Sequence, residues 1–331
     1  MTIDRRVMLA TMDTMAGLAA GFGPLANAQP KAAWPTKTVK FIVGAAAGGS
    51  ASDAATRFFA NQIAERSKQP VVVDNRPGAD GNLAAEVVAR SAPDGHTFLV
   101  TGNNTHAANV HLYKSMSFDP EKDFAPVTTY ARVPYVLLIN GNRLAARTLK
   151  DFIAHARANP GKLTYASAAV ASRVGVEQLK LTAKFDAVNV AYKSGAQAMT
   201  DLLGGHVDFY IADAVNALQQ VQAGRAIALG VTVAERLPAA PDLSTIAESG
   251  FPDFDFASWL AVWTSAGTPP ELVRAASAAI NDAMGSPAGK QFLEKQGLLP
   301  YPGSPEALRT LQQRETLRWG QAIRAAQMVA H

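Results

Sequence analysis

The sequence predicts an α/β fold in which helices cover both faces of parallel sheets. Short runs of β-branched and aromatic residues alternate with helical segments along most of the chain. Loops of small residues recur directly after the strands, the position where open α/β sheets bind ligands. The chain is 331 residues long and 48% apolar, enough for two domains with a large core and too apolar for general disorder.

The first unit is Thr38 to Arg57, TVKFIVGAAAGGSASDAATR. Val39, Phe41, Ile42 and Val43 suit a buried strand. The loop from Gly44 to Ser52 holds only Gly, Ala and Ser, so its backbone can approach a ligand closely. Ser50 or Ser52 can cap the following helix, whose free N–H groups and positive dipole end point back into the loop. This arrangement suits a small anion. Val71-Val72-Val73 reads as a short buried strand, and Asn75 to Gly81 as a turn-rich loop. A helix is expected over Leu83 to Ser91, a strand over Thr97 to Val100, then a second small polar loop, Thr101 to Thr105.

Further strands are expected near Tyr135 to Ile139, Leu163 to Ala166, Val188 to Tyr192, Val207 to Ile211 and Ile227 to Val231. The intervening helices are placed at Leu149 to Ala158, Val174 to Ala183, Gln197 to Leu203 and Val215 to Ala223, with Gly204-Gly205 as a stop. From Pro269 the chain reads as three helices, Pro270 to Met284, Ala288 to Gln296 and Pro305 to Ala326, expected to pack on the first sheet. Ser167 to Arg173 and Lys193 to Gln197 complete a set of four small polar loops at strand ends. Such loops offer backbone N–H and hydroxyl donors suited to a carboxylate.

Arg5 and Arg6, an apolar run from Val7 to Phe22 and the small-x-small site Ala26-Asn27-Ala28 read as an export signal over residues 1–28, cleaved near Ala28. Asp13 within that run also fits an ordinary first helix. The mature chain is expected in a periplasm. Several chemistries are excluded or disfavoured. Cysteine is absent, which removes disulfides, thiolate zinc sites and cysteine nucleophiles. The net charge of +4 is spread along the chain without a basic run, so no nucleic-acid partner is expected. The glycine spacing of the first loop fits neither the dinucleotide fingerprint nor the P-loop. The six histidines show no metal-ligand spacing, and no residue pair is nominated as nucleophile and base. No metal, cofactor or catalytic residue is expected.

The motifs that flank these loops occur in a particular order. Trp34-Pro35 precedes the first strand and is followed by Gly48-Gly49 with Asp53 and Arg57. Next come Val71 to Asn82 (VVVDNRPGADGN), Ala92 to Thr97 (APDGHT) and Phe118 to Val127 (FDPEKDFAPV). Asn159 to Leu163, Tyr165-Ala166-Ser167, Tyr192-Lys193, Asp201 to Asp208 and Ala266 to Pro269 follow. In these motifs the chain resembles the Bug-type solute receptors, the extracytoplasmic binding proteins of tripartite tricarboxylate transporters. The resemblance implies a two-lobed periplasmic-binding-protein fold of type 2 that closes on a carboxylate and presents it to membrane permease subunits as a monomer. Lobe one is expected at 34–134 plus 263–331, and lobe two at 135–262.

Carried over by that resemblance, the first lobe's contacts are Gly48, Gly49, Ser50 and Asp53 with Thr101, Asn103 and Asn104. The second lobe's are Ser167, Ala168, Ser172, Tyr192 and Asp213. Asp53 is expected to order the loop, cap the helix or hold bridging water, since it would repel an anion. The chain departs from the family pattern at Gly44, Ala45, Ala169, Ala171, Gly175 and Ala191. Arg173 lies outside that pattern, and its guanidinium is placed either to pair with a second ligand carboxylate or to be solvated at the surface. Two other readings use the same site, an exported sensor that reports to a membrane kinase and an exported enzyme acting on a carboxylate.

Overall fold

In this computed structural model, which describes residues 34–48, 50–192 and 194–328, the first strand is Val39–Val43 (β1). The proposed export signal and Gly49 therefore lie outside the described residues. Helix Ala51–Ser67 (α1) follows, capped by Ser50. Then come strand Val71–Asn75 (β2), helix Asn82–Ala89 (α2), strand Thr97–Gly102 (β3) and the single turn Asn109–Leu112 (α3). β1 lies between β2 and β3 and pairs in parallel with both. That order leaves β2 at the sheet edge, so the expected burial of Val71 to Val73 is corrected: Val72 is 45% exposed.

A 16-residue strand, Phe124–Ile139 (β4), follows. The second sheet and its helices are built from Leu149–Ala158 (α4), Thr164–Ser167 (β5), Val170–Ala183 (α5), Val188–Ala191 (β6) and Gly195–Gly204 (α6). Phe209–Asp213 (β7), Ala214–Gln222 (α7) and Ile227–Val231 (β8) complete it. Strand Ala257–Ser265 (β9) returns to the first sheet, and Pro270–Gly285 (α8), Pro287–Lys295 (α9), Leu299–Pro300 (β10) and Pro305–Ala325 (α10) follow.

β4 belongs to both sheets. Phe124 to Pro134 pair antiparallel with β9, and Tyr135 to Ile139 pair antiparallel with β7 on one side and β8 on the other. The sheets are mixed but mainly parallel in strand direction: in the first, β9 and the short β10 run against β1, β2, β3 and β4, and in the second, β4 runs against β5, β6, β7 and β8. Neither the first eleven residues of β4 nor β9 was expected from the sequence. Pro126 and Pro134 argue against a regular strand, and the ladder accommodates Pro126 with a shift of register between Pro126 and Thr128. β9 pairs with the first sheet from Ala257 onward, ahead of the expected boundary at 262/263.

Each sheet has its own aromatic centre. Phe59 of α1 meets Phe41 edge-on at 5.0 Å and Tyr130 at 5.5 Å. In the second sheet Phe209 is ringed by Phe152, Tyr165 and Phe185, with centroids 5.1 to 6.2 Å away. The C-terminal run packs back as expected, α8 on β4 and α1. α10 additionally meets α5, where Arg318 donates to Gln178 Oε1 at 3.1 Å, and the segment just before β9, where Trp319 lies 6.0 Å from Phe256. Truncating Phe209, which is fully buried, to alanine removes a whole aromatic contact set. Phe209→Ala is expected to lower unfolding free energy by about 3–5 kcal/mol in urea denaturation followed by tryptophan fluorescence.

Candidate functional site

β1 and β3 are parallel neighbours, so the segments that follow them emerge at the same sheet end. A cavity of about 600 Å³ opens there. Gly44, Ala45 and the first turn of α1 form one wall, Thr101 to Asn104 a second, and the loop Gly78 to Gly81 a third. Tyr135 and Ser258 lie at the strand crossing, their hydroxyls 2.8 Å apart, and Ala169 and Ala171 border the cavity from the start of α5.

The first wall is held by a buried carboxylate. Asp53 is 1% exposed, and its Oδ2 accepts from the Gly48 N–H at 2.8 Å and from Arg57 Nε at 3.1 Å. Its Oδ1 accepts from Asn75 Nδ2 at 2.8 Å, and the same amide nitrogen donates to the Ala45 carbonyl at 2.9 Å. Burial pushes the Asp53 carboxyl up, but hydrogen bonds from Arg57, Gly48 and Asn75 outweigh it and hold the group below its ordinary value. Asp53 therefore orders the loop, as expected. Ser50 Oγ accepts the Asp53 N–H at 3.1 Å, the usual N-cap bond. Ala51 and Ser52, both on the cavity wall, occupy first-turn positions whose N–H groups have no intrahelical acceptor.

The second wall stands on a buried polar chain. Thr105 Oγ1 donates to Thr101 Oγ1 at 3.2 Å and lies 2.8 Å from His106 Nδ1. His106 stacks on Trp263 with centroids 3.9 Å apart. Asn103 lines the cavity but is 2% exposed; its Oδ1 accepts the Trp259 N–H at 3.3 Å, an assignment that leaves Nδ2 buried and without a partner among the described residues. Gly102 is required beside it, because a Cβ there would stand 2.5 Å from the Trp259 carbonyl oxygen. In the third wall Gly78, Ala79, Asp80 and Gly81 all have positive φ, from 46° to 130°. This loop, Tyr135 and Ser258 were not among the expected site residues. The Pro-Gly-Ala-Asp-Gly run signals the turn, but nothing in it signals that the turn folds over β3.

Of the expected contacts, Ser50, Thr101, Asn103 and Asn104 line the cavity. Gly48 instead donates to Asp53, and Gly49 lies outside the described residues. The second-lobe residues are placed differently from expectation. α5 begins at Val170, so Ser172 and Arg173 sit in its first turn rather than in a loop. Ser172 Oγ accepts the N–H groups of Ala168 and Ala169 at 3.1 and 3.2 Å, consuming donors a ligand would use. Ser167 Oγ donates to Asn189. Arg173 is corrected most plainly: it does not line the cavity, and its guanidinium donates at 2.8 Å to the Ala326 carbonyl just beyond α10. That carbonyl supplies the partner a cation at a helix start needs. Tyr192 donates to Asp201 at 2.7 Å in a separate surface depression. Asp213 caps α7, accepting from the Asn216 N–H and side chain.

Residues 55–328 match the model of the tripartite tricarboxylate transporter family receptor. The chain belongs to this receptor family. It is 32% identical to protein BugT of Bordetella pertussis, over 88% of this chain and 90% of BugT. An R. palustris structure with adipate is 33% identical, superposes with a TM-score of 0.77 and is covered over 100% of its length, with 90% of this chain. MatC of Rhodopseudomonas palustris with bound malate is 31% identical with a TM-score of 0.71, covering 87% of this chain and 99% of that one. The two-lobed α/β fold implied by the resemblance is the receptor's fold.

Burial holds the His106 imidazole down to about 3, so it is neutral in the folded receptor. An unfolded histidine titrates near 6.5. The unfolded chain therefore takes up a proton between these values that the folded chain refuses, and stability is full above about pH 6.5 and lost on acidification. Urea midpoints are expected to fall from pH 6.5 to 4.5 more steeply in the native sequence than in His106→Gln, with a limiting difference of about 1.4 kcal/mol per pH unit.

Proposed function

We propose that this receptor is exported, captures a small carboxylate in the cavity at the ends of β1 and β3, and delivers it to the permease subunits of a tripartite transporter. The observation that carries the reading is the donor set. Among the described residues the cavity is lined by no lysine or arginine, yet it has the α1 N-terminus, Ser50, Thr101 and Asn103, whose Nδ2 is buried and unpaired, on its walls. Together these suit an anion held by amides and hydroxyls. The adipate and malate bound by its structural relatives belong to the same chemical class. Family membership likewise favours a transport receptor over an enzyme.

Capture is proposed to draw together a first lobe of 34–134 plus the C-terminal segment and a second lobe between them. Strand pairing favours placing the second crossing at 256/257. The crossings sit beside Tyr135 and Ser258, so the cavity lies where relative lobe movement would open or close it. Export by the 1–28 segment is part of the same proposal.

The test is calorimetric titration of the mature chain with a panel of organic acids, paired with small-angle scattering. Binding with a reduced radius of gyration is expected for at least one acid, and a panel without heat or compaction would refute capture. Asn103→Asp keeps the acceptor for the Trp259 N–H but replaces the free donor with a negative oxygen. It is expected to weaken binding of that acid at least tenfold, with the thermal midpoint measured in parallel to confirm folding.

A further inference from the structure

The receptor's cavity carries one charged side chain, and it has the sign of the proposed ligand. Among the described lining residues Asp80 is the only Asp, Glu, Lys, Arg or His. Its carboxylate is exposed and, among the described residues, accepts a single hydrogen bond, from Tyr113 Oη at 3.1 Å. No lysine or arginine among the described residues forms an ion pair with it. The two arginines nearest in sequence are committed elsewhere, Arg76 to Asp74 at 3.0 Å and Arg90 to Glu86 at 2.7 Å. The backbone at Asp80 is left-handed, with φ 51° and ψ 34°, a conformation that a non-glycine residue adopts uncommonly and that Asp and Asn tolerate best.

We propose that Asp80 sets the ligand class of this cavity: acids with one carboxylate and a cationic or hydrogen-bond-donating group, to the exclusion of dicarboxylates. The inference rests on the reading of the cavity as a carboxylate site. The α1 amides with the lining hydroxyls and Asn103 can compensate one carboxylate, and no lysine or arginine among the described lining residues supplies a charge for a second. A second carboxylate in the same 600 Å³ would face Asp80 without a cation between them. An ammonium or hydroxyl in that place would instead complete the hydrogen bonding of Asp80, whose free lone pairs accept and cannot donate. As the cavity closes and water leaves, both the attraction and the repulsion grow, so discrimination is sharpest in the closed form.

Asp80→Asn isolates the charge, because asparagine keeps the left-handed backbone and an acceptor for Tyr113. Calorimetric titration of both proteins compares two matched pairs, 4-aminobutanoate with succinate and 6-aminohexanoate with adipate. The native receptor is expected to bind the amino acid of at least one pair tenfold or more tightly than its dicarboxylate. Asp80→Asn is expected to shrink that ratio at least fivefold, with an unchanged thermal midpoint. A native preference for the dicarboxylate, a ratio unmoved by the substitution, or no heat from any of the four would each overturn the proposal. The organic-acid panel on the native receptor then separates the failures. Binding of other acids leaves carboxylate capture standing without the Asp80 rule, and silence of the whole panel removes both.

Discussion

An anion site assembled from amides works only if the amides are held in place before the ligand arrives, and Asp53 imposes that order. A flexible loop of Gly, Ala and Ser would otherwise lose conformational entropy on binding. The Asp53 carboxylate gathers the Gly48 N–H, Arg57 and Asn75, and Asn75 in turn ties the Ala45 carbonyl. The knot links the loop after β1, the first turn of α1 and the end of β2. It also consumes the negative charge internally, since Arg57 donates to both Asp53 and Asn75 Oδ1. A carboxylate can therefore sit close to an anion site while leaving the wall with free N–H groups.

The second constraint is β4, shared by two sheets. Because Pro134 pairs with Ala257 and Tyr135 with Asp213, the strand changes partners within one residue. The two sheets meet at that point, and the Tyr135 and Ser258 hydroxyls bond across it at the edge of the cavity. Close packing there leaves little latitude: Gly102 must lack a Cβ to pass the Trp259 carbonyl, and Trp259 is the residue whose N–H orients Asn103. Asn103 on the cavity wall is thus positioned by β9, the strand that pairs with β4 up to the point where the sheets meet.

The outer strands and most helices were legible from local patterning, since each is a short apolar run with its own cap or stop, such as Gly205 in the left-handed conformation after α6. β9 and the first part of β4 were not, because their identity depends on pairing with each other across about 130 residues of intervening chain, and Pro126 masks the pattern. Of the site, the residues that follow β1 and β3 were legible from strand–loop–helix logic. The roles of Ser172, Arg173 and Tyr192 were not, because short polar side chains and arginines look alike in sequence whether they meet a ligand or a nearby carbonyl. Only the fold shows that Arg173 reaches Ala326 and Tyr192 reaches Asp201. The turn at 78–81 was legible as a turn and illegible as a wall, since its contact with β3 and the segment after it is tertiary: a Cβ on Gly81 would lie 3.5 Å from Thr101 Oγ1 and 2.9 Å from Thr105.

The two sides of the cavity are unequal in what they leave unsatisfied. On the β1–β3 side, the α1 N-terminus and Asn103 keep donors without protein partners. On the α5 side, Ser172 has already taken the Ala168 and Ala169 N–H groups, and the residues that reach the cavity are the methyl-bearing Ala169 and Ala171. Free donors recognise charge, whereas methyl groups exclude water without competing for it. In the proposed capture the first lobe therefore selects the carboxylate and the second lobe covers it. Covering strengthens what is already bound, because hydrogen bonds and charge interactions gain as water is removed. Closure by an apolar surface then depends on a ligand whose polar groups are satisfied by the first lobe, so recognition and closure are coupled through one set of donors rather than two.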